Sequence, residues 1–228
     1  MRSYFSKMEI ILWMSSAFLI TAAFFVFDRE SYLTLAASLI GVTSLIFNAK
    51  GNPFGQFLMV LFSLLYGVIS FRFKYYGEMV TYLGMTMPMA VIALVSWLKN
   101  PYKENKKEVR VNSVGIKEFL FMLICAAAVT VLFFYVLRYF GTANLLSSTL
   151  SVTTSFVAVY LTFRRSPLFA LAYASNDIVL IVLWLMASVY DIRGISVTVC
   201  FTAFLVNDIY GYVSWQKMKE RKMAPRRS

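Results

Sequence analysis

Eight stretches of this 228-residue chain run for a membrane's width with few or no charges: 9–27, 31–47, 53–71, 77–98, 116–139, 144–163, 167–189 and 194–215. At 1.5 Å per helical residue they run roughly 26–36 Å, the range found for helices that cross a hydrocarbon core of about 30 Å. A soluble helical protein would interleave polar faces at a 3.6-residue period, and these runs do not. The overall make-up agrees, with 60% hydrophobic residues and only 14% charged. One soluble core does not hide that much apolar surface. The fold class expected is therefore an all-α polytopic membrane protein with eight transmembrane helices.

What is missing narrows the chemistry. Histidine is absent, which removes His-based zinc sites, Ser-His dyads and the HExxH helix. No GxGxxG motif and no P-loop occur, so an ATP-driven pump would need a nucleotide domain from elsewhere. No metal and no cofactor is expected. Cys125 and Cys200 both lie in apolar runs and imply no disulfide framework.

The first run follows Arg2 and Lys7, as a signal peptide would, but it is longer than a signal peptide's apolar region and lacks a clear small-residue cleavage site. It reads as a retained helix. Assigning alternate sides to the segments between spans puts 17 of the 22 Lys and Arg on the side of both termini. That bias makes the termini cytoplasmic. The basic loop 99–115 and the tail 216–228 then account for the net charge of +11 as topology, facing anionic lipid rather than nucleic acid.

The chain also repeats itself weakly. "VSW" at 95–97 returns at 213–215, Pro53-Phe54 opens one span as Pro167-Leu168 opens another, and "LIGVTS" (39–44) lines up with "LSVTTS" (150–155). These pairings suggest one integral domain over 1–228. It comprises an extra helix (9–27), a three-helix repeat (31–98), the basic loop, a linker helix (116–139) and a second repeat (144–215). One odd linker helix makes the two repeats parallel, a transporter design in which the substrate site lies between the repeats near the midplane.

Intramembrane polar residues mark that site. Of eleven acids, nine, Glu78 and Glu104 among them, read as span ends or loops; Asp177 and Asp208 are deep. An ionisable group near the bilayer centre costs about 2.5–3.5 kcal/mol on insertion scales and is expected to face a bundle interior or a wet cavity. The same groups serve equally as interhelical glue. Asn176 and Asn207 precede the two acids, each with a Trp eight residues later, Trp184 and Trp215. Trp215 is expected at the interface and Trp184 at ligand-stacking depth. Thr153 and Thr154 on span 6, Tyr210 beside Gly211 on span 8, Gln56, Ser63 and Tyr66 on span 3, and Thr81, Tyr82 and Thr86 on span 4 complete the candidates. Pro88 inside span 4 removes a helical hydrogen bond and is read as a hinge. Amides, hydroxyls, rings and carboxylates without Lys or Arg suit a neutral or cationic, ring-bearing solute and not a phosphate.

"FLVNDIYGYVSWQKM" (204–218), "SNDIVLIVLWL" (175–185), "LLYGVISFRFKYYGE" (64–78) and "MPMAVIALVSWLKN" (87–100), in that spacing, resemble the PnuC family of bacterial vitamin transporters, best known for nicotinamide riboside. The resemblance spans about residues 31–219. It implies a three-plus-one-plus-three arrangement related to SWEET proteins, an extra N-terminal helix, a homotrimer in the bacterial inner membrane, and facilitated diffusion with metabolic trapping. It carries substrate contacts onto Asn176, Asn207, Trp184 and Tyr210. Asp177, Asp208, Gln56, Tyr66 and Thr153 complete the candidate substrate-binding set. The first repeat departs from the family in "PFGQFLMVLFSLLYG" (53–67), which leaves thiamine, riboflavin or a deoxynucleoside as alternative substrates. Proton coupling through Asp177 or Asp208 is a second transport reading. An intramembrane aspartyl protease would need a GxGD loop, where this chain has "SND" and "VND"; the chain is not expected to be an enzyme. A scaffold would have no cavity.

Overall fold

The computed structural model describes residues 4–103, 105–142 and 144–223, with side chains through Arg221. Among them eight helices have membrane-crossing length and composition. They are α1 (Lys7–Phe27), α2 (Tyr32–Ala49), α3 (Pro53–Arg72), α4 (Tyr76–Lys99), α5 (Ile116–Tyr139), α6 (Leu145–Phe163), α7 (Leu168–Ser188) and α8 (Gly194–Met223). Eight crossings bring both ends of the bundle to one face, called here the terminal face; the other is the distal face. Each helix starts and stops within a few residues of its apolar run except α8. That helix continues through the charged "KMKERKM", because Lys, Glu, Arg and Met are good helix formers and lipid is not required to support them. Residues 224–228 of the basic tail, and Glu104 in the basic loop, lie outside the described residues.

Local chemistry sets the ends. Ser6 and Glu9 form a reciprocal capping box on α1, and Asn52 accepts from the Phe54 N–H just ahead of Pro53, which tolerates the first helical position. α2 and α6 end the same way. Gly51 (φ +64°) and Arg165 (φ +56°) take the left-handed conformation. The next N–H, of Asn52 or Ser166, then reaches back to Phe47 or Leu161, the Schellman ending. Within α4, Tyr82–Thr86 widens into a π turn, and the Met87 N–H bonds the Tyr82 carbonyl. Pro88 follows directly and has no N–H for Gly84, so the irregular stretch sits where the sequence places a hinge.

Three helices pack as α2–α3–α4 and three as α6–α7–α8, with α2 against α8 and α4 against α6 across the divide. The linker α5 leans on α6, and α1 lies along α2 and α8. The cross-contacts are chemical copies. Trp97 Nε1 donates to Thr162 O at 2.9 Å and Ser96 Oγ to Phe163 O at 3.1 Å; Trp215 Nε1 donates to Asn48 O at 2.7 Å and Ser214 Oγ to Ala49 O at 2.8 Å. Each "VSW" thus grips the last carbonyls of the opposite unit's first helix, and the two indoles meet at 5.4 Å. Trp215, expected as an interfacial belt residue, is instead fully buried; two carbonyls left over at a helix end need buried donors more than lipid headgroups need an indole. The basic loop crosses beneath. Val109 N donates to Gly51 O at 2.8 Å and Asn112 N to Arg165 O at 3.0 Å, so one strap touches both equivalent turns.

Candidate functional site

Between the two units lies a small cavity of about 20 Å³, room for roughly one water. α7 brings Tyr173, Asn176 and Asp177 to it, and α8 brings Asp208 with Phe201 and Phe204. The i, i+3, i+4 spacing of the first three sets them on one helical stripe. α6 adds Ser155, α4 adds Tyr82 and Thr86, and Phe62 closes the α3 side. Asp177 and Asp208 both line the cavity, and their carboxyls interact directly across it. Two buried acids set side by side with no cation between them behave as one unit. Among the described residues no Lys or Arg lines the cavity.

Asn176 is held by its oxygen, which accepts from Thr154 Oγ1 at 2.8 Å and Ser155 Oγ at 3.0 Å. Distal to the cavity on the same face of α7, Trp184 is fully buried and packs against Tyr66, Phe73 and Tyr75 at 5.9, 5.2 and 5.2 Å. Tyr66 in turn lies 4.3 Å from Tyr82. These rings form a plug between the cavity and the distal face.

Besides Trp184 and Tyr66 in that plug, four residues expected in the site lie away from this cavity. Asn207 turns to the extra helix, donating to Ser16 Oγ at 2.9 Å and to Ala203 O; neighbouring helical positions point about 100° apart, and here Asp208 takes the inward one. Tyr210 reaches Glu9 Oε1 at 3.2 Å near the terminal face. Gln56, one turn into α3, donates to Asn48 Oδ1 at 2.9 Å. Thr153 pairs with Thr130 of the linker at 2.7 Å, while its neighbour Thr154 holds Asn176.

Glu78 is the residue the sequence reading passed over as a span end. It is fully buried, as buried as any residue in the bundle. Its signal was weak: one acid in the first turn of a helix, where solvent exposure is the ordinary outcome. Glu9, also read as peripheral, is buried against Lys50 at 3.1 Å and clamps α1 to α2.

Residues 31–217 match the family described as nicotinamide mononucleotide transporter. The chain belongs to this family. The chain is similar to the nicotinamide riboside transporter PnuC of Neisseria mucosa, 27% identical over 92% of this chain and 81% of that protein. The nicotinamide riboside transporter PnuC of Haemophilus influenzae is 21% identical over 92% and 91%. The crystal structure of the vitamin B3 transporter PnuC superposes with a TM-score of 0.83 at 23% identity, covering 96% of this chain and 94% of that one, so the two share a fold. Family membership and eight apolar helices make the chain a multi-pass membrane transporter. The close dyad that a protease reading asks for is present, but it sits in a transporter family and lacks the GxGD loop.

Proposed function

We propose that this transporter takes up nicotinamide riboside by facilitated diffusion across the bacterial inner membrane, with both termini cytoplasmic and cytoplasmic phosphorylation trapping the product. One observation carries it: an Asp177–Asp208 pair in an aromatic-walled cavity between the units, free of basic residues. A pyridinium ring carries the positive charge that a pair of acids suits, and its ribose hydroxyls suit the amide end of Asn176 and the Ser155 hydroxyl. The phosphate of a mononucleotide would meet two acids there. The charge bias of the loops supports the orientation, and the names of the two relatives support the substrate.

The cavity in the described state is far smaller than a nucleoside, so α4 and α6, or α2 and α8, must separate for binding. In a thermal-shift panel, nicotinamide riboside is expected to raise Tm, while its mononucleotide, thiamine, riboflavin and common nucleosides are expected to raise it less. A response to the mononucleotide alone overturns the reading; a larger response to thiamine or riboflavin reassigns the substrate. The pairing of two buried acids also favours a second reading, proton coupling. Uptake into proteoliposomes that ignores an imposed pH gradient would remove it. A homotrimer, which the resemblance implies, is tested by the mass of the detergent-solubilised particle.

A further inference from the structure

Glu78 has no role in the cavity just described. Its side chain is 0% exposed, and it faces the Ser151 hydroxyl of α6 without a well-formed hydrogen bond to either carboxylate oxygen. A buried carboxyl group left in this condition is expensive, and its setting says what would satisfy it. Glu78, Tyr82 and Thr86 descend one side of α4 from its distal end, and Ser151 and Ser155 descend the facing side of α6. Tyr82, Thr86 and Ser155 already line the cavity, so the polar seam leads from Glu78 into the site. Around Glu78 stand Tyr66, Tyr75 and Tyr82, and beyond them Trp184. The hydroxyl of Tyr66 and the hydroxyl of Ser151 lack well-formed bonds as well.

A carboxylate among aromatic rings is the chemistry that holds a ring-borne or quaternary cation: the rings offer their negative faces and the acid offers the counter-charge. It does not hold an anion. Resting on the reading that the central cavity is the substrate site, we propose that Glu78 and the Tyr66–Tyr75–Tyr82 rings form a second, distal cation subsite. There the pyridinium charge of the substrate waits before passing Tyr82 to the Asp177–Asp208 pair. The subsite is closed in the described state: Glu78 is fully buried, and Trp184 packs on the far side of the Tyr66 and Tyr75 rings. Opening the α4–α6 seam hydrates Glu78 and exposes the rings together.

The test compares two forms of one solute in proteoliposomes: nicotinamide riboside, which is cationic, and its reduced dihydro form, which has nearly the same shape and no ring charge. Glu78→Gln is expected to lower initial uptake of the cationic form about tenfold while changing that of the reduced form less than about twofold. Glu78→Gln/Ser151→Asp, which returns a carboxylate from the opposite wall, is expected to recover most of the preference for the cation. Equal loss of both forms, unchanged uptake of both, or failure of the Ser151→Asp partner to restore the preference overturns the subsite. Should Glu78→Gln not fold, Ser151→Asp in the wild-type background is expected to raise the cation preference, and no change there overturns the proposal equally. Failure of the wild-type protein to take up nicotinamide riboside at all would instead count against the function proposed above.

Discussion

The two interfaces that join the three-helix units, α4 on α6 and α8 on α2, begin alike at the terminal face and diverge toward the distal one. At the terminal end each has a Trp and a Ser bonded to the last carbonyls of the facing helix. Beyond the anchors, the α8–α2 seam is mostly dry. Phe204 lies so close to Gly41 that a Cβ there would fall 2.2 Å from its ring, and Val197, Phe201, Ala37 and Leu45 belong to the same apolar cluster. The α4–α6 seam carries Glu78, Ser151, Ser155 and Thr86 at the matching depths. A dry seam gains nothing by admitting water, whereas a seam of under-bonded polar groups recovers hydrogen bonds when it opens. Equal anchors with unequal seams mean that the pair of units has one side built to stay shut and one built to part.

The largest effect should come from the anchors. Trp97→Ala and Trp215→Ala should each cost about 3–5 kcal/mol and lower Tm by similar amounts; a large inequality would break the equivalence of the two ends. The Phe variants keep most of the packing and forfeit chiefly the hydrogen bond, about 0.5–1.5 kcal/mol. Next come the seams. Gly41→Ala forces Phe204 to move and should cost about 1–3 kcal/mol, while Ser151→Ala should change stability by less than about 1 kcal/mol and act on uptake instead. The reverse ranking in a thermal melt would sink the dry-versus-polar distinction. A smaller contrast separates the twin asparagines: Asn176→Ala should weaken nicotinamide riboside binding, and Asn207→Ala should lower Tm by loosening α1 with little effect on affinity. The smallest lies outside both seams. Burial pushes the Asp28 carboxyl, at the end of α1, above its ordinary range. The folded state therefore holds that proton more tightly than the unfolded chain, and Asp28 detracts from stability once pH exceeds the ordinary carboxylate range. Asp28→Asn should raise Tm slightly near pH 7, with the gain fading as pH falls toward 4 in a pH-resolved melt.

Composition and run length made the eight helices legible, because lipid enforces length and charge rules that hold without tertiary context. The repeat was legible through "VSW", whose two copies turned out to make the same bonds. Side-chain direction was not. Asn207 and Asp208 are adjacent, and which one faces inward depends on where α1 docks, something periodicity does not encode in a helix apolar all round. The same one-residue ambiguity separates Thr153, facing the linker, from Thr154, holding Asn176. Glu78 was hidden by position: an acid in a first turn reads as solvated, and only the packing of α6 over it makes it buried. The π turn adds a residue to one helix of a matched pair, and short motif comparison cannot register that.

The strap beneath the bundle sets a ruler on how far the terminal ends can travel. Its two bonded amides, Val109 and Asn112, are three residues apart, and three extended residues reach at most roughly 11 Å. While both bonds hold, the turns at Gly51 and Arg165 can draw apart only by that reach plus the two hydrogen bonds, roughly 17 Å in all, so the strap limits separation of the units at this face and leaves the distal face free of it. Passage out through the terminal face then waits on the strap letting go of one turn, and the pace of that release is written in the hydrogen exchange of just two amides.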